Sequence, residues 1–467
     1  MTKIKFGTDG WRAIIADTYT NDNLKRVALA TAQYIKAEGG QAVVLGHDCR
    51  FAGSMFADLA ARIFADQGLK VYLAQGFVST PMVSLGVVLQ KAFMGVVITA
   101  SHNPPSYNGY KLKSAYGGPS IPAEVTEVEN RIADEVPATP STTQAEFVAQ
   151  GKIEYIDLEK LYVEHCRKAF DIEAINNSFV NLAYDAMYGA GQNVVRQLIP
   201  AVTELHCDYN PSFMGQAPEP IHRNLGELSA LLAKTPELNA GLANDGDADR
   251  IGMYDEEGRF VDSHQILLLL IHYLHKYKGL SGKVVVTFSV TDKVKKLCEL
   301  YNLDCQVTKI GFKYIAEIMT KEEVLVGGEE SGGIAATGHI PERDGIWIGL
   351  ILLEFMAKTG KTLSQLMDEI YELVGPFAFN RDDLHLNNEL KWQIVENCKA
   401  GSYSQFGPYN IQKVEDIDGF KFYLRDDAWV MIRPSGTEPV LRVYAQAPTD
   451  EEVRQILDAT KAALLEG

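Results

Sequence analysis

The chain has 467 residues, 46% of them hydrophobic and 22% charged, with 44 basic against 61 acidic side chains and a formal net charge of −17. That length exceeds what one hydrophobic core usually serves, and the composition is that of a globular protein, so several domains are expected and extended disorder is not. The acidic balance speaks against a broad nucleic-acid face, and any anionic small molecule must be held by local clusters of Arg and Lys.

From the N-terminus, residues 21–38 read as a helix stopped by Gly39-Gly40, 42–45 as a short strand and 52–67 as a helix. Residues 70–74 and 93–98 read as strands, the second an apolar run suited to burial on both faces. This βαβ rhythm implies a parallel-rich sheet covered by helices. A Pro/Thr/Ser-rich patch at 137–143 marks a linker nearby. The rhythm restarts with helix 156–170, strand 181–184, helices 192–198 and 228–233, and strand 241–243. It restarts again with helix 263–277, strand 283–287, helix 292–301, strands 304–308 and 324–327, and helix 345–358. From about Pro376 the pattern becomes α+β: helix 389–400, strand-like runs at 420–424, 429–432 and 440–445, and a closing helix at 450–465. The expected domains are 1–150, 151–258, 259–374 and 375–467. The six cysteines form no Cys-x-x-Cys pair or zinc-like spacing and read as reduced thiols. No signal-peptide core precedes Arg12, and the longest aliphatic run, 266–271, is far short of the ~20 residues of a membrane span, so a cytoplasmic protein is expected.

Thr99-Ala100-Ser101-His102-Asn103-Pro104-Pro105 follows strand 93–98, which puts Ser101 where the chain leaves the sheet. Ligands of open α/β sheets bind at such strand ends. A hydroxyl there, with His102 and Lys111 close by, has the parts of a supported nucleophile, although Ser, Asn and Pro are also ordinary turn formers. Asp245-Gly246-Asp247-Ala248-Asp249-Arg250 places carboxylates at alternate positions, which share a face in extended backbone and can converge on one hard cation. An EF-hand is excluded because its obligatory Gly would be Arg250 and the flanks read as strands; a solvated acidic turn is the plainer alternative. Arg433-Pro434-Ser435-Gly436-Thr437-Glu438-Pro439, with Arg442 beyond, has the makings of an oxyanion cradle or of a decorated hairpin turn. In Gly327-Gly328-Glu329-Glu330-Ser331-Gly332-Gly333 the glycines permit close approach while Glu329 and Ser331 offer polar groups suited to sugar hydroxyls.

In this order the four motifs resemble those of the α-D-phosphohexomutases, the phosphoglucomutase and phosphomannomutase family, and the resemblance runs from Gly7 to near the C-terminus. It implies three tandem α/β domains with mixed, parallel-rich sheets plus a smaller C-terminal α+β domain around a central cleft. It implies an isomerase in which phosphorylated Ser101 gives its phosphoryl group to a hexose phosphate, a hexose 1,6-bisphosphate turns over, and the other phosphate returns to Ser101. Ser101, Asp245, Asp247 and Asp249 would hold Mg²⁺, with the bisphosphate as intermediate and activator. Ser101, His102, Lys111, Arg12 and Arg250 would be catalytic, Lys111 also as proton carrier. Lys309, Gly311 and Lys313 of a specificity loop, with Glu329, Ser331 and Arg343, would bind the sugar. Arg433, Ser435, Gly436, Thr437 and Arg442 would bind the distal phosphate. One departure leaves the acid/base group unassigned. Gly333 stands where phosphomannomutase and phosphoglucosamine mutase relatives carry His, and Arg343 where the phosphoglucomutase branch has Lys; Arg is a poor proton shuttle. Glu329-Glu330-Ser331 and Gly311-Phe312-Lys313 are similar to the glucose-handling branch. The expected reaction is therefore glucose 1-phosphate to glucose 6-phosphate and back, with phosphomannomutase or a dual activity as the alternative and phosphoglucosamine mutase behind it. Expected partners are phosphosugars, with no nucleic acid and no membrane, on a monomer or homodimer.

Overall fold

The computed structural model describes residues 3–7, 10–435 and 440–466. The chain divides into two compact units, residues 1–285 with 311–366, and residues 286–310 with 367–467. The division falls inside the strand Lys283–Thr287, so the third predicted block contributes to both units.

In the first unit, one sheet runs in the order Trp11–Ile14, Tyr107–Ser114, Met94–Ile98, Ala42–His47, Lys70–Ala74, Ile153–Ile156, with Gly118–Pro119 attached to Tyr107–Ser114. Its last four strands are parallel, and Tyr107–Ser114 turns back antiparallel to Met94–Ile98. Every residue of Met94–Ile98 is buried, the signature of a strand covered on both faces. Helix Asn21–Ala37 begins where the Thr20 hydroxyl accepts the Asn23 N–H, a cap that contributes about 1 kcal/mol. A second sheet orders Phe260–Val261, Ile251–Tyr254, Ala240–Asn244, Leu182–Asp185 and Thr203–Leu205, again mixing parallel and antiparallel pairs. Val324–Gly328 pairs antiparallel with Ile334–Ala336. Among the described residues no helix is long and apolar enough to cross a membrane.

The second unit holds an antiparallel sheet ordered Ala378–His385, Val440–Ala447, Ala428–Pro434, Phe420–Arg425, Lys413–Glu415. Its core gathers Ile394, Val430, Val443 and Leu457 from that sheet and from helices Asn388–Lys399 and Asp450–Glu466, an α+β arrangement.

Several elements differ from the sequence reading. Ile156 ends a strand, and the helix that follows starts at Leu158, because the Asp157 carboxylate accepts the Lys160 N–H and fixes the start there. The predicted helix 263–277 is α-helical only over Ser263–His272 and closes in a π-helical turn, Tyr273–Tyr277. Helix Thr80–Gln90 and strand Tyr107–Ser114 had no sequence prediction, and Gly311-Phe312-Lys313 is the start of helix Phe312–Met319, not an open loop.

Candidate active site

The chain leaves Met94–Ile98 and turns sharply at Ser101, whose φ of 52° lies in the left-handed region. For a residue with a Cβ that conformation costs about 1–3 kcal/mol and persists only where surroundings impose it. They do so here. The Ser101 N–H donates to Thr99 Oγ1 at 2.9 Å, and the Thr99 hydroxyl donates to Asp48 Oδ2 at 2.5 Å. The Arg50 guanidinium donates to the carbonyls of Ser101 (2.5 Å), Asn103 (2.6 Å), Pro104 (2.9 Å) and Tyr107 (3.0 Å). The Ser101 hydroxyl, almost wholly buried, donates to Asp245 Oδ2 at 2.7 Å.

Asp245 follows the strand Ala240–Asn244, so the serine loop and the aspartate loop both sit at carboxyl ends of sheet strands. The aspartate segment is not extended as the sequence suggested. It is a turn closed by Ala248 N–H to Asp245 C=O at 3.0 Å, with Ala248 at φ 55°. The turn nonetheless converges the three carboxylates: Asp245, Asp247 and Asp249 each place an oxygen within 4.8 Å of the others, all buried. Gly246 is required because a Cβ there would lie 2.6 Å from the Ser101 carbonyl oxygen. Lys111, buried on Tyr107–Ser114, donates to Asp247 Oδ2 at 2.8 Å and to Asp249 Oδ2 at 2.9 Å. Arg343 donates to Asp249 Oδ2 at 2.7 Å, and the Thr80 hydroxyl to Asp247 Oδ2 at 2.5 Å.

Burial, then the Asp247 and Asp249 charges, push the Asp245 carboxyl well up. Burial also acts to raise Asp247, but the Lys111 ammonium overrides it and holds that group below the usual carboxylate range. Asp247 Oδ1 and Asp249 Oδ1 have no hydrogen-bond partner among the described residues, although both side chains are fully buried. An unpaired buried acceptor costs about 1–3 kcal/mol, more when charged. Three oxygen-bearing carboxylates with two orphaned oxygens are a donor set that fits a hard divalent cation.

Glu329, at the end of Val324–Gly328, accepts the Gly311 N–H at 3.0 Å and lies 3.9 Å from the Arg343 guanidinium. Burial pushes its carboxyl up, against the pull of Arg343 and Arg250. Arg343 thus joins the aspartate turn to Glu329, and its guanidinium also lies 5.5 Å from the Phe312 ring centroid. Gly333 gives it the space: a Cβ there would stand 2.5 Å from Arg343 Cδ. The place left open by the missing His is therefore filled by the arginine stem. Arg250 donates its backbone N–H to Asp245 Oδ1 at 3.0 Å and bridges Gly333. Arg12, on Trp11–Ile14, donates to Asn103 Oδ1 at 2.8 Å and so reaches the serine loop. His102 Nδ1 lies 3.4 Å from Ser101 Oγ. Burial and the Arg250 and Arg12 charges hold that imidazole well below its ordinary range, hence neutral.

The structure brings Ser101, His102, Lys111, Arg12, Arg250, Glu329, Gly311, Arg343 and the three aspartates together in the first unit. Ser331 sits in the turn after Glu329, and the Lys313 ammonium rests 5.3 Å from the Tyr314 ring centroid. Lys309, Arg433, Ser435 and Arg442 belong to the second unit. There Arg433 and Arg442 face each other across neighbouring strands, and Arg433 pairs with Asp418 at 3.3 Å. Asp418 also accepts the Ile310 N–H at 2.9 Å, while Lys391 donates to the Ser435 carbonyl at 3.2 Å. Gly436 and Thr437 lie outside the described residues.

Sequence reasoning missed Asp48, Arg50, Thr80 and the buried pair of Lys113 with Glu342 at 2.8 Å, which anchors the segment carrying Arg343. Asp48 and Arg50 follow Ala42–His47, the parallel neighbour of Met94–Ile98. The strand-end logic applied to Ser101 would have found them.

Comparison with known proteins identifies the family. Four domain families match: "Phosphoglucomutase/phosphomannomutase, alpha/beta/alpha domain I" over residues 3–138, domain II over 160–258, domain III over 262–374, and the C-terminal domain over 398–463. A "Phosphoglucomutase/phosphomannomutase" of Thermococcus kodakarensis is 28% identical over 97% of this chain and 96% of its own. A protein of Pyrococcus abyssi named as a probable phosphoglucosamine mutase is 30% identical over 97% and 96%. A crystal structure from Thermus thermophilus named for phosphomannomutase superposes with a TM-score of 0.88 at 35% identity, covering 100% of both chains. The chain belongs to the phosphoglucomutase/phosphomannomutase family, the phosphohexomutases, which are isomerases that transfer phosphoryl groups on sugars.

Proposed function

We propose that this phosphohexomutase is a phosphoglucomutase, interconverting glucose 1-phosphate and glucose 6-phosphate through phosphorylated Ser101 and a glucose 1,6-bisphosphate. The observation that carries the reading is the buried Ser101 hydroxyl at 2.7 Å from Asp245, inside a triad of carboxylates with Lys111 beside it. Asp245, Asp247 and Asp249 would hold Mg²⁺, which when bound neutralises charge on the transferring phosphoryl group. In the first half-reaction the bond from phosphorus to Ser101 Oγ breaks as a bond from phosphorus to the sugar hydroxyl oxygen forms, and the proton that hydroxyl loses ends on the released Oγ. In the second, the bond from phosphorus to the sugar oxygen at the other end breaks as a bond to Oγ forms, and the Oγ proton, which the neutral His102 at 3.4 Å is placed to receive, ends on the released sugar oxygen. Lys111, which donates to Asp247 and Asp249, would add positive charge beside the transferring group. Arg12 and Arg250 add charge around the serine loop. By the motifs they belong to, Arg433, Ser435, Gly436, Thr437 and Arg442 would grip the distal phosphate, and Lys309 and Lys313 would bind the sugar.

Relatives carry names for glucose, mannose and glucosamine phosphates. Glucose is favoured here by the charges around Glu329: Arg343 lies 3.9 Å away and Arg250 also acts on it. Two guanidinium groups repel the ammonium of glucosamine but donate readily to the oxygens of neutral hydroxyls. Mannose differs only in one hydroxyl and should rank second. Side-by-side specificity constants on the 1-phosphates of glucose, mannose, glucosamine and N-acetylglucosamine test this. Glucose first and mannose second is expected; a preference for glucosamine 1-phosphate overturns the sugar assignment.

A further inference from the structure

Ser101 has two backbone polar groups besides its hydroxyl, and both are tied down. Its N–H goes to the Thr99 hydroxyl, which is itself turned by its bond to Asp48 Oδ2. Its carbonyl goes to Arg50, whose guanidinium also takes the carbonyls of Asn103, Pro104 and Tyr107. Asp48 closes the system: Oδ1 accepts the Arg50 backbone N–H at 2.9 Å, and Oδ2 lies 3.3 Å from Arg50 Nε. Both side chains are wholly buried. The Asp48 N–H donates to the Ile98 carbonyl at 3.1 Å, so the pair is pinned to the strand that delivers the serine.

We infer that Asp48 and Arg50 are positioning residues that hold Ser101 in its left-handed backbone so that Oγ alone can move between its partners. The inference rests on the reading of Ser101 as phosphoryl carrier. Arg50 touches no reacting atom. Its effect is to gather four carbonyl oxygens onto one cation, away from an incoming phosphate that they would repel, while Thr99 fixes the peptide on the other side. The same Ser101 carbonyl is the atom that Gly246 makes room for, so the clamp also sets the distance between the serine and aspartate loops. Only a planar fork with several donors can serve four carbonyls; an ammonium has three donors and no fork.

The test compares wild type, Arg50→Lys, Thr99→Val, Thr99→Ser and Ser101→Ala on glucose 1-phosphate and mannose 1-phosphate with glucose 1,6-bisphosphate. Phosphoserine content is read by intact mass and folding by thermal melting. Arg50→Lys should keep its fold and KM while kcat drops about a hundredfold, the cost of misplacing a reacting group by about an ångström. If Arg50→Lys does not fold, the threonine pair decides: Thr99→Val should lose kcat and Thr99→Ser should restore it, since only the hydroxyl links Asp48 to the Ser101 N–H. Unchanged kcat in a folded Arg50→Lys, or equal rates for the two Thr99 variants, overturns the inference, as does a loss that follows thermal stability alone. Ser101→Ala separates the two levels. If it keeps phosphorylation and turnover, the underlying reading fails; if it loses both while Arg50→Lys and Thr99→Val are normal, only the positioning role fails.

Discussion

Gly333 and Arg343 occupy space as one unit. The glycine leaves room for the arginine stem, and the arginine spends its charge on Asp249 and Glu329. Gly333→Ala should push Arg343 off Asp249 because the Cβ would sit 2.5 Å from its Cδ. The expected result is a fall in kcat/KM of roughly tenfold or more, equivalent to about 1.4 kcal/mol, with little change in melting temperature. Wild-type kinetics in this variant would remove Arg343 from the site. Glu329→Gln should weaken sugar binding by about 1.5–3 kcal/mol through loss of a charge-assisted hydrogen bond, seen as a raised KM for each sugar the enzyme accepts. Both residues were legible in the sequence as a departure from the family pattern. What the sequence could not express is that the two departures compensate, since that depends on a contact across the turn between Ile334–Ala336 and Gly345–Thr359.

Elements were legible where apolar periodicity was clean and hidden where charge was buried. Met94–Ile98 and Lys283–Thr287 announce themselves as aliphatic runs. Tyr107–Ser114 does not, because Asn108, Lys111 and Lys113 mimic a loop. It is a buried strand because each lysine finds its carboxylate, Lys111 on Asp247 and Asp249, Lys113 on Glu342. Helix Thr80–Gln90, rich in β-branched residues and carrying Pro81, is likewise held by packing and its Ser79 cap more than by propensity. Phe420–Arg425 makes the same point with a measurable consequence. Lys421 is fully buried, 3.9 Å from the Trp429 ring centroid and 3.2 Å from Asp292. Burial pushes its ammonium down to about 8 from 10.5, against the pull of Asp292. Between those pH values the unfolded chain binds the proton and the folded one does not, so this group makes stability rise as pH climbs from about 8 to 10.5. The linkage is at most about 3 kcal/mol. Lys421→Met should therefore gain most over wild type near neutral pH and lose that margin by pH 10 in urea unfolding. A margin that does not change with pH would contradict the buried-lysine account.

At the scale of the whole molecule, a chain of net charge −17 would have to hold an anionic sugar with local clusters of cations, and its three converging carboxylates are the group that could hold a metal. The aspartate turn is built at the expense of stability: three buried carboxylates with two unpaired oxygens. Millimolar Mg²⁺ should raise the melting temperature of wild type, by about 2.7 kcal/mol of stabilisation at a hundred times its Kd, and EDTA should silence turnover reversibly. Asp247→Asn should abolish the Mg²⁺-dependent shift; an equal shift in that variant would place the metal elsewhere. The four-domain family architecture and the serine and aspartate loops were readable from motif order, whereas the division of the third block between two units was not, because it falls within one strand. The most direct test of the account is the intact mass of the protein after incubation with glucose 1,6-bisphosphate and Mg²⁺. One added phosphoryl group on wild type, absent from Ser101→Ala along with turnover, is the predicted result; turnover by Ser101→Ala, or a phosphoryl group mapped to another residue, would contradict it.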